Sequence, residues 1–376
     1  MLHPPANARV LIAMSGGVDS AVAAQRVVAA GYDCVGVTMR LVPEHAGKSV
    51  FEPCCGVEAG RDARRVCDTL GIAHEVLYAV DRFDRDIITH FTDEYAAGRT
   101  PNPCVRCNRM IKFGALYQRA DELGCDYIAM GHYVRLAQRG PRHSLRRAVY
   151  RPKDQSYVLA PLTQPQLRRA YFPLGEATKE EVRAEAGACD AWMAQKPESQ
   201  EICFVPDRNY RNLLAQRGQR AQAGPILTLD GEEVGRHEGL TAYTIGQRRG
   251  LGIAAEQPYY VVRLDAARNA VIVGHKEDTL CARFGTGRLA WGGLTPCETP
   301  FDAWAQVRSR HDPVRATVTP RPDGARVHLH EPQAAVTPGQ WAVFYDDDGF
   351  VLASATIRTF ETVGEAERLR ATATQG

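Results

Sequence analysis

The strongest constraint on the fold is a strand, a glycine turn and a helix that follow one another at the start of the chain. Residues 9–14 read RVLIAM, a continuous apolar run typical of a strand that is buried on both faces. Residues 21–30 (AVAAQRVVAA) have helical length, and Gly31 after them predicts the end of a helix. A strand that leads into a helix in this way is typical of a parallel sheet.

The same alternation of strand and helix continues over about the first 200 residues. Strand-like runs occur at residues 33–39, 73–80 and 127–130, and helical segments end at Gly71 and Gly124. The predicted class is therefore α/β, with a parallel sheet covered by helices on both faces.

After about residue 205, glycine, proline and short β-type runs dominate, and DDDG predicts a tight turn between two strands. We expect an α/β domain over residues 1–206, a small linking domain over 207–277 and a C-terminal β-barrel over 278–376.

Composition limits the kind of protein this can be. With 376 residues, 44% of them hydrophobic, the chain can bury a large core. A net charge of +2 excludes a generally basic protein, so a nucleic acid would have to be held by local basic patches. Eleven cysteines, an odd number, suit reduced thiols rather than a secreted disulfide framework. No signal peptide or membrane-length apolar run is evident, so we expect a soluble cytoplasmic protein without a membrane partner.

The glycine turn at residues 13–20 (AMSGGVDS) predicts a nucleotide site. Gly16 and Gly17 allow backbone N–H groups to turn inward around an anion, and the following helix adds partial positive charge. Asp19 would repel a phosphate unless Mg²⁺ lay between them. The alternative is a plain turn between strand and helix. The pattern GxxxxGK followed by Ser or Thr is absent, so this is not the loop of kinases and GTPases.

A second feature is TPNPCVRCNRMIKF at residues 100–113, in which Cys104 and Cys107 lie three apart. We predict a helix with Asn108 as its N-cap, which would place Cys107 at a helix N-terminus between two arginines and favour the thiolate. A structural zinc site normally needs four ligands, and a second CxxC is absent. A redox pair would leave the glycine loop without a purpose. A third thiol, Cys203 in SQEICFVPD, by itself also fits a buried core cysteine.

Several motifs together resemble one family, the bacterial tRNA-specific 2-thiouridylases. The motifs, in chain order, are AMSGGVDS, GRTPNPCVRCNRMIKF, AMGHYV, KDQSYVL, SQEICF, GLTAYTIGQRRGLGI and PGQWAVFY. SGGVDS is similar to the pyrophosphate loop (PP-loop) of ATP pyrophosphatases, which cleave ATP between the α and β phosphates. The resemblance implies a sulfurtransferase that uses ATP and Mg²⁺ to convert the wobble uridine of tRNA to 2-thiouridine, with AMP and pyrophosphate as products.

The resemblance also implies roles for individual residues. Cys203 would carry a persulfide and Cys107 would resolve it through a transient disulfide, so these two are the predicted catalytic pair. A disulfide requires Cα atoms within ~7 Å, so the fold must bring them together, and we expect the segment around Cys203 to move. The implied ATP-binding residues are Ala13, Met14, Ser15, Gly16, Gly17, Val18, Asp19, Ser20, Met39 and Gly131. The implied contacts to the target base are Asn102, Pro103 and Cys104.

The implied partners are tRNA and a sulfur donor. The protein would bind the anticodon arm of tRNAs for lysine, glutamate and glutamine, and a sulfur-relay protein or cysteine desulfurase would load the persulfide. Residues 139–153 carry six arginine and lysine residues and no acid, which predicts a surface that follows phosphates or else a solvated loop. The implied tRNA-contacting residues are His132, Lys153, Asp154, Gln155, Arg310, His311 and Gln340, where His311 replaces a more usual aromatic residue.

Alternatives stay open at this point. Cys104 stands where some family members have an aspartate that carries a proton, and a thiol can also titrate. Cys104, Cys107 and Cys203 could instead hold a 4Fe–4S cluster with one open iron. A PP-loop synthetase that forms a C–N bond would explain the glycine loop but not the cysteines. A non-enzymatic, redox-sensing RNA-binding module would bind tRNA without cleaving ATP.

Overall fold

The computed structural model describes residues 2–42, 56–189, 191–194, 196, 202–205, 209–219 and 221–364. Within these residues a parallel α/β layer is followed by a small mixed sheet and then by a closed antiparallel barrel. The predicted fold class is confirmed.

The N-terminal part is built on a parallel sheet covered on both faces. Its strands, with those of an adjacent hairpin, are β1 (Arg9–Ala13), β2 (Asp33–Arg40), β3 (Ala73–Tyr78), β4 (Tyr127–Ala129), β5 (Val134–Arg139), β6 (Arg142–Arg147) and β7 (Ala170–Tyr171). The sheet order is β3–β2–β1–β4–β7, and β5 pairs with β6 in the separate antiparallel hairpin. Leu11 of β1 packs into one apolar cluster, whereas Val10 and Ile12 pack into another, as expected when helices cover both faces.

The helices are, in chain order, α1 (Val18–Ala29), α2 (Val57–Leu70), α3 (Val80–Phe83), α4 (His90–Ala96), α5 (Pro103–Cys107), α6 (Ala115–Glu122), α7 (Ser156–Leu159), α8 (Gln164–Arg168), α9 (Lys179–Cys189), α10 (Ala191–Ala194) and α11 (Tyr210–Gln216). Short 3₁₀ turns occur at Arg151–Lys153, Leu240–Ala242 and Glu277–Thr279. A π-helical segment, Asp84–Thr89, joins α3 to α4 in one helical run, and another, Asn108–Lys112, continues α5. The helix ends predicted at Gly31 and Gly71 are confirmed, with φ of +82° and +69°.

The helix start predicted at Asn108 is wrong. The helix begins earlier, with a proline that follows Asn102, and the Asn102 Oδ1 accepts the Val105 N–H at 3.2 Å. An asparagine N-cap followed by proline at the first helical position is a favourable start. Asn108 is instead buried, and its Nδ2 donates to the Val158 carbonyl oxygen at 3.0 Å. Cys107 therefore ends α5 rather than lying at a helix N-terminus.

The remaining strands form the two C-terminal sheets. The strands of the small sheet are β8 (Gly224–Thr228), β9 (Glu233–His237), β10 (Tyr260–Asp265) and β11 (Ala270–Gly274), and those of the barrel part are β12 (Leu280–Thr286), β13 (Ala290–Trp291), β14 (Phe301–Gln306), β15 (Val314–Arg321), β16 (Gly324–Ala334), β17 (Trp341–Tyr345) and β18 (Val351–Thr362). Pairing in the order β12–β16–β15–β14–β17–β18 returns to β12, which closes a six-stranded antiparallel barrel. No helix among the described residues has the length and apolar character required to cross a bilayer.

The basic stretch at residues 139–153 is largely engaged by the barrel. Arg142 donates from Nε and Nη2 to two barrel carbonyl oxygens, each at 2.7 Å. The guanidinium groups of Arg139 and Arg146 lie 4.7 and 4.9 Å from the ring centroid of Phe350. The sequence shows the charges of these three arginines but not the barrel groups that they contact, and the prediction that this stretch follows phosphates stays a prediction.

Candidate active site

The glycine loop lies at the carboxyl edge of the parallel sheet. Residues 13–20 leave β1 and enter α1, Met39 lies near the end of β2, and Gly131 follows the end of β4. A Cβ on Gly131 would approach the Asp19 carbonyl oxygen to 2.7 Å, so the end of β4 packs closely on the start of α1. The ten residues expected to bind ATP thus lie together, where the strand order reverses between β1 and β4.

The loop itself is held by its own backbone and serines. Gly16 has φ of +68°, and a Cβ there would lie 2.2 Å from the Ala59 carbonyl oxygen. The Ser20 hydroxyl donates to the Gly17 carbonyl oxygen at 2.8 Å and accepts the Ser15 N–H at 3.2 Å. The loop is therefore shaped before any ligand arrives, and its serine hydroxyls serve that shape.

Two lysines from later in the chain reach the loop. The Lys179 Nζ donates to the Asp19 Oδ1 at 2.6 Å, and the Tyr133 hydroxyl donates to the same oxygen at 2.8 Å. The Lys196 Nζ donates to the Gly16 carbonyl oxygen at 2.8 Å. The side chain of Lys179 is only 7% exposed, so its charge acts in a poorly screened environment. Asp19, expected to repel phosphate, is thus balanced by an ammonium group.

Neither lysine was predicted from the sequence, although a signal for one of them exists. TKEE at residues 178–181 is a capping box in which the Thr178 N–H donates to Glu181 at 2.7 Å and the Glu181 N–H donates to the Thr178 hydroxyl at 3.2 Å. This box places Lys179 at the start of α9. The Arg26 Nε donates to Glu185 at 2.9 Å, which ties α9 to α1 and lowers the pKa of the Glu185 carboxyl group.

The segments that carry Cys107 and Cys203 meet the same helical run, α3–α4. The Arg106 Nε, beside Cys107, donates to the Asp86 carbonyl oxygen at 2.6 Å. Phe204, beside Cys203, packs edge-to-face on two phenylalanine rings of this run, with centroid distances of 5.2 and 5.7 Å. Cys203 also packs against the apolar cluster that contains Cys107. The two cysteines therefore lie on one side of the sheet.

The three cysteines of the proposed cluster differ in exposure. Cys104 is exposed, Cys107 is buried and Cys203 is partly buried. Across the residues that the structure describes, no group of three or more His, Cys, Asp or Glu side chains is arranged to hold a metal ion. These donors therefore do not fit an iron–sulfur cluster. Of the segment around Cys203, only residues 202–205 are described.

Several residues expected to contact tRNA are engaged within the protein. The Asp154 carboxylate accepts the Ala148 N–H at 2.8 Å and the Ser156 hydroxyl at 2.7 Å. The Gln155 Oε1 accepts the Tyr133 N–H at 2.9 Å. These side chains hold the segment after the basic hairpin against the end of β4.

The other expected tRNA contacts differ in exposure. His132 is buried, and burial, followed by the charge of Lys112, lowers its pKa well below the usual value, so its ring is neutral. Arg310 is exposed, whereas His311 and Lys153 are partly exposed. Burial, followed by the charge of a neighbouring arginine, also lowers the pKa of His311. Of the expected tRNA contacts, Arg310, on the β14–β15 loop, is therefore the most exposed.

The target-base candidates form the start of α5. Asn102 is partly exposed, Pro103 is buried and Cys104 is exposed. The backbone just before them is held from the barrel, because the Gln340 Nε2 donates to the Thr100 carbonyl oxygen at 2.9 Å.

Family models match three successive parts of the chain. A model described as a tRNA methyl transferase HUP domain matches residues 8–207, and one described as a tRNA methyl transferase PRC-barrel domain matches residues 211–275. A model described as an aminomethyltransferase β-barrel domain matches residues 283–357.

Relatives that align over nearly the whole chain specify the family further. A Roseiflexus sp. (strain RS-1) protein named tRNA-specific 2-thiouridylase MnmA is 49% identical over 365 residues, which cover 91% of this chain and 97% of the relative. A Heliobacterium modesticaldum protein of the same name is 42% identical over 358 residues, which cover 94% and 93%. The chain therefore belongs to the tRNA-specific 2-thiouridylase family.

Proposed function

We propose that this protein catalyses the ATP-dependent 2-thiolation of the wobble uridine of tRNA. The observation that carries the proposal is the arrangement of three segments. A glycine loop flanked by two lysines opens at the carboxyl edge of the sheet, while the segments of Cys107 and Cys203 pack against one helical run. Such a site has a place to cleave ATP and a pair of thiols to deliver sulfur.

In the first step the glycine loop binds the phosphates of ATP. Its backbone N–H groups and the start of α1 attract the anion, and Lys179 and Lys196, which pair with Asp19 and Asp62 in the structure, lie beside the loop and would turn to the pyrophosphate as it leaves. The uridine C2 oxygen attacks the α-phosphorus, which forms a C2–O–AMP linkage and breaks the bond to the β-phosphate. Mg²⁺, when bound, screens the phosphate charge. Asp19 is the carboxylate of the loop that would hold it.

In the second step sulfur replaces the activated oxygen. The outer sulfur of a Cys203 persulfide attacks C2, and AMP leaves with the original oxygen. The Cys107 thiolate then attacks the inner sulfur of Cys203, which breaks the persulfide S–S bond and leaves a Cys107–Cys203 disulfide. An external thiol reduces this disulfide, and a sulfur-relay protein or cysteine desulfurase reloads the persulfide. No step passes through an iron–sulfur cluster, because the described donors do not fit one.

The proposed partner is the anticodon arm of tRNAs for lysine, glutamate and glutamine, in the cytoplasm. The exposed Arg310 and the partly exposed His311 and Lys153 are the residues we assign to tRNA contact. Asn102, Pro103 and Cys104 would contact the target base, with Cys104 as an exposed group able to carry a proton.

The test is nucleoside analysis of unmodified tRNA after incubation with ATP, Mg²⁺ and a persulfide source. The wild-type protein should form 2-thiouridine together with equimolar AMP and pyrophosphate. Cys107→Ser and Cys203→Ser should abolish 2-thiouridine, whereas Cys297→Ser, a change in the barrel, should not. If a cysteine-free variant cleaves ATP at the full rate and forms a product with a new C–N bond, the result would favour a synthetase. Binding of tRNA without ATP cleavage would favour a redox-sensing module.

A further inference from the structure

A cluster of hydrogen bonds, which we call the clasp, joins the barrel to the loop that precedes α5. The clasp consists of Pro338, Gly339 and Gln340, immediately before β17. The Gln340 Nε2 donates to the Thr100 carbonyl oxygen at 2.9 Å and to the Pro101 carbonyl oxygen at 3.3 Å. In the other direction, the Thr100 N–H donates to the Pro338 carbonyl oxygen at 2.9 Å.

Gly339 allows the two segments to approach. Its φ of +92° lies in the region that glycine favours, and a Cβ there would lie 2.9 to 3.1 Å from the carbonyl oxygen, carbonyl carbon and nitrogen of Thr100. Any larger residue would push the barrel and the loop apart. The contact is therefore built for close backbone approach rather than formed by chance between two surfaces.

The clasp is fixed on the barrel side and connected to the central part. The Gly339 N–H donates to the Ile357 carbonyl oxygen at 2.9 Å, and the Ile357 N–H donates to the Gln340 carbonyl oxygen at 2.8 Å. The Arg308 Nη2 donates to the Thr337 hydroxyl at 2.7 Å and to the Ile245 carbonyl oxygen at 2.9 Å. Arg308 thus links the central part to Thr337, the residue that precedes the clasp.

On the catalytic side, the clasped loop leads directly into α5. Arg99 and Glu94 form a two-point ion pair at the start of this loop, with Nε to Oε2 at 2.8 Å. Asn102, at the end of the loop, is the N-cap of α5, and Cys107 lies about one helical turn later. Between these points the loop is held by the barrel, so the barrel sets where α5 begins.

We propose that Gln340 and Gly339 are positioning residues for sulfur transfer, through the clasp that sets the place of α5 and hence of Cys107. This role rests on the proposed function and differs from direct tRNA contact. The side-chain nitrogen of Gln340 donates to two carbonyl oxygens, so a hydrogen-bond donor is required at this position. A glutamate of the same shape would instead set a carboxylate against two carbonyl oxygens.

The experiment compares Gln340→Ala, Gln340→Glu and Gly339→Ala with wild type. Gln333 supplies matched controls, Gln333→Ala and Gln333→Glu, because its amide donates to the adjacent Pro332 carbonyl oxygen on the barrel surface. Two quantities are measured: the single-turnover rate of 2-thiouridine formation at saturating tRNA and ATP, and the Kd for tRNA. Hydrogen exchange of the Thr100 amide is followed separately, without substrates.

We expect Gln340→Ala to slow sulfur transfer about tenfold, as loss of two hydrogen bonds implies, with the tRNA Kd unchanged. Gln340→Glu should be slower than Gln340→Ala, and Gly339→Ala should also be slow. The Thr100 amide should exchange faster in all three variants, while the Gln333 variants should match wild type in every measurement.

Distinct outcomes overturn the proposal. If Gln340→Glu transfers sulfur at the wild-type rate, the donor argument fails. If Gln340→Ala raises the Kd for tRNA but leaves the rate of sulfur transfer unchanged, Gln340 is a tRNA ligand instead. Unchanged Thr100 exchange would show that no clasp protects the loop. If the wild-type protein forms no 2-thiouridine while the exchange pattern is as expected, the proposed function fails but the clasp stands.

Discussion

Alanine at the two glycines of the nucleotide loop should affect different properties, because only Gly16 is required by the protein's own packing. Alanine at Gly16 should lower thermal stability, and alanine at Gly17 should lower ATP affinity. Gly16 has φ of +68°, and its Cβ would lie 2.2 Å from the Ala59 carbonyl oxygen. Gly17 has φ of −94° and ψ of 164°, which any residue adopts, and the nearest atom to its Cβ would be the Ser15 Oγ at 3.6 Å. The protein has room for alanine at Gly17, so a glycine there suggests that a ligand approaches closely.

The expected magnitudes follow from this geometry. Gly16→Ala adds the left-handed backbone cost of about 1–2 kcal/mol and an overlap with α2 of about 1–3 kcal/mol, which together should lower the Tm by roughly 5–15 °C. Gly17→Ala replaces a tolerable N-cap with a poor one, at about 0.5–1 kcal/mol, so its Tm should fall by no more than about 3 °C. Its affinity for ATP should nevertheless drop at least about tenfold.

Calorimetric titration with ATP and Mg²⁺, beside thermal unfolding, measures both effects. Gly187→Ala, on the exposed part of α9, is the control and should raise the Tm slightly without changing ATP affinity. The reasoning is refuted if Gly17→Ala binds ATP like wild type, or if Gly16→Ala keeps the wild-type Tm.

Three further predictions concern the groups around this site. His132 has a lowered pKa in the folded protein, so its contribution to stability is present above the unfolded imidazole pKa of about 6.5 and is lost on acidification; urea unfolding of His132→Gln at pH 7 and pH 5 should show a smaller pH effect than wild type. Arg142→Ala removes two hydrogen bonds to barrel carbonyl oxygens and should cost about 1–3 kcal/mol, seen by calorimetry as a lower Tm or a separate barrel transition; an unchanged trace would contradict this docking role. Maleimide should label the exposed Cys104 at least about tenfold faster than the buried Cys107 in the protein without tRNA, as peptide mass analysis can measure; equal rates would mean that α5 opens readily.

Local signals in the sequence were enough to predict the sheet and the ends of its helices. The apolar runs of β1 to β4 and the glycines that end α1 and α2 act over a few residues, so periodicity and backbone freedom identify them. The predicted start of α5 was wrong because Asn102 and Asn108 are both suitable N-cap residues. Only the proline after Asn102 indicates that the helix starts there.

Contacts between distant residues could not be predicted in this way. Lys179 meets Asp19 across 160 positions, and nothing near either residue specifies the other. The same holds for the basic hairpin, whose arginines meet the barrel ring of Phe350 more than 200 positions later in the chain. Charge is visible in a sequence, but the group that a charge contacts depends on packing of the whole chain.

The clasp has a consequence for the order of synthesis. The N-terminal layer emerges from the ribosome before the barrel and can fold as a unit, complete with its glycine loop and both cysteines of the proposed catalytic pair. The residues that steady the α5 loop, at positions 338–340, are made after all of these groups. On the mechanism and the clasp proposed above, a product that ends before the barrel would contain every reactive group yet leave Cys107 without the contacts that position it, so sulfur transfer would await synthesis of the barrel.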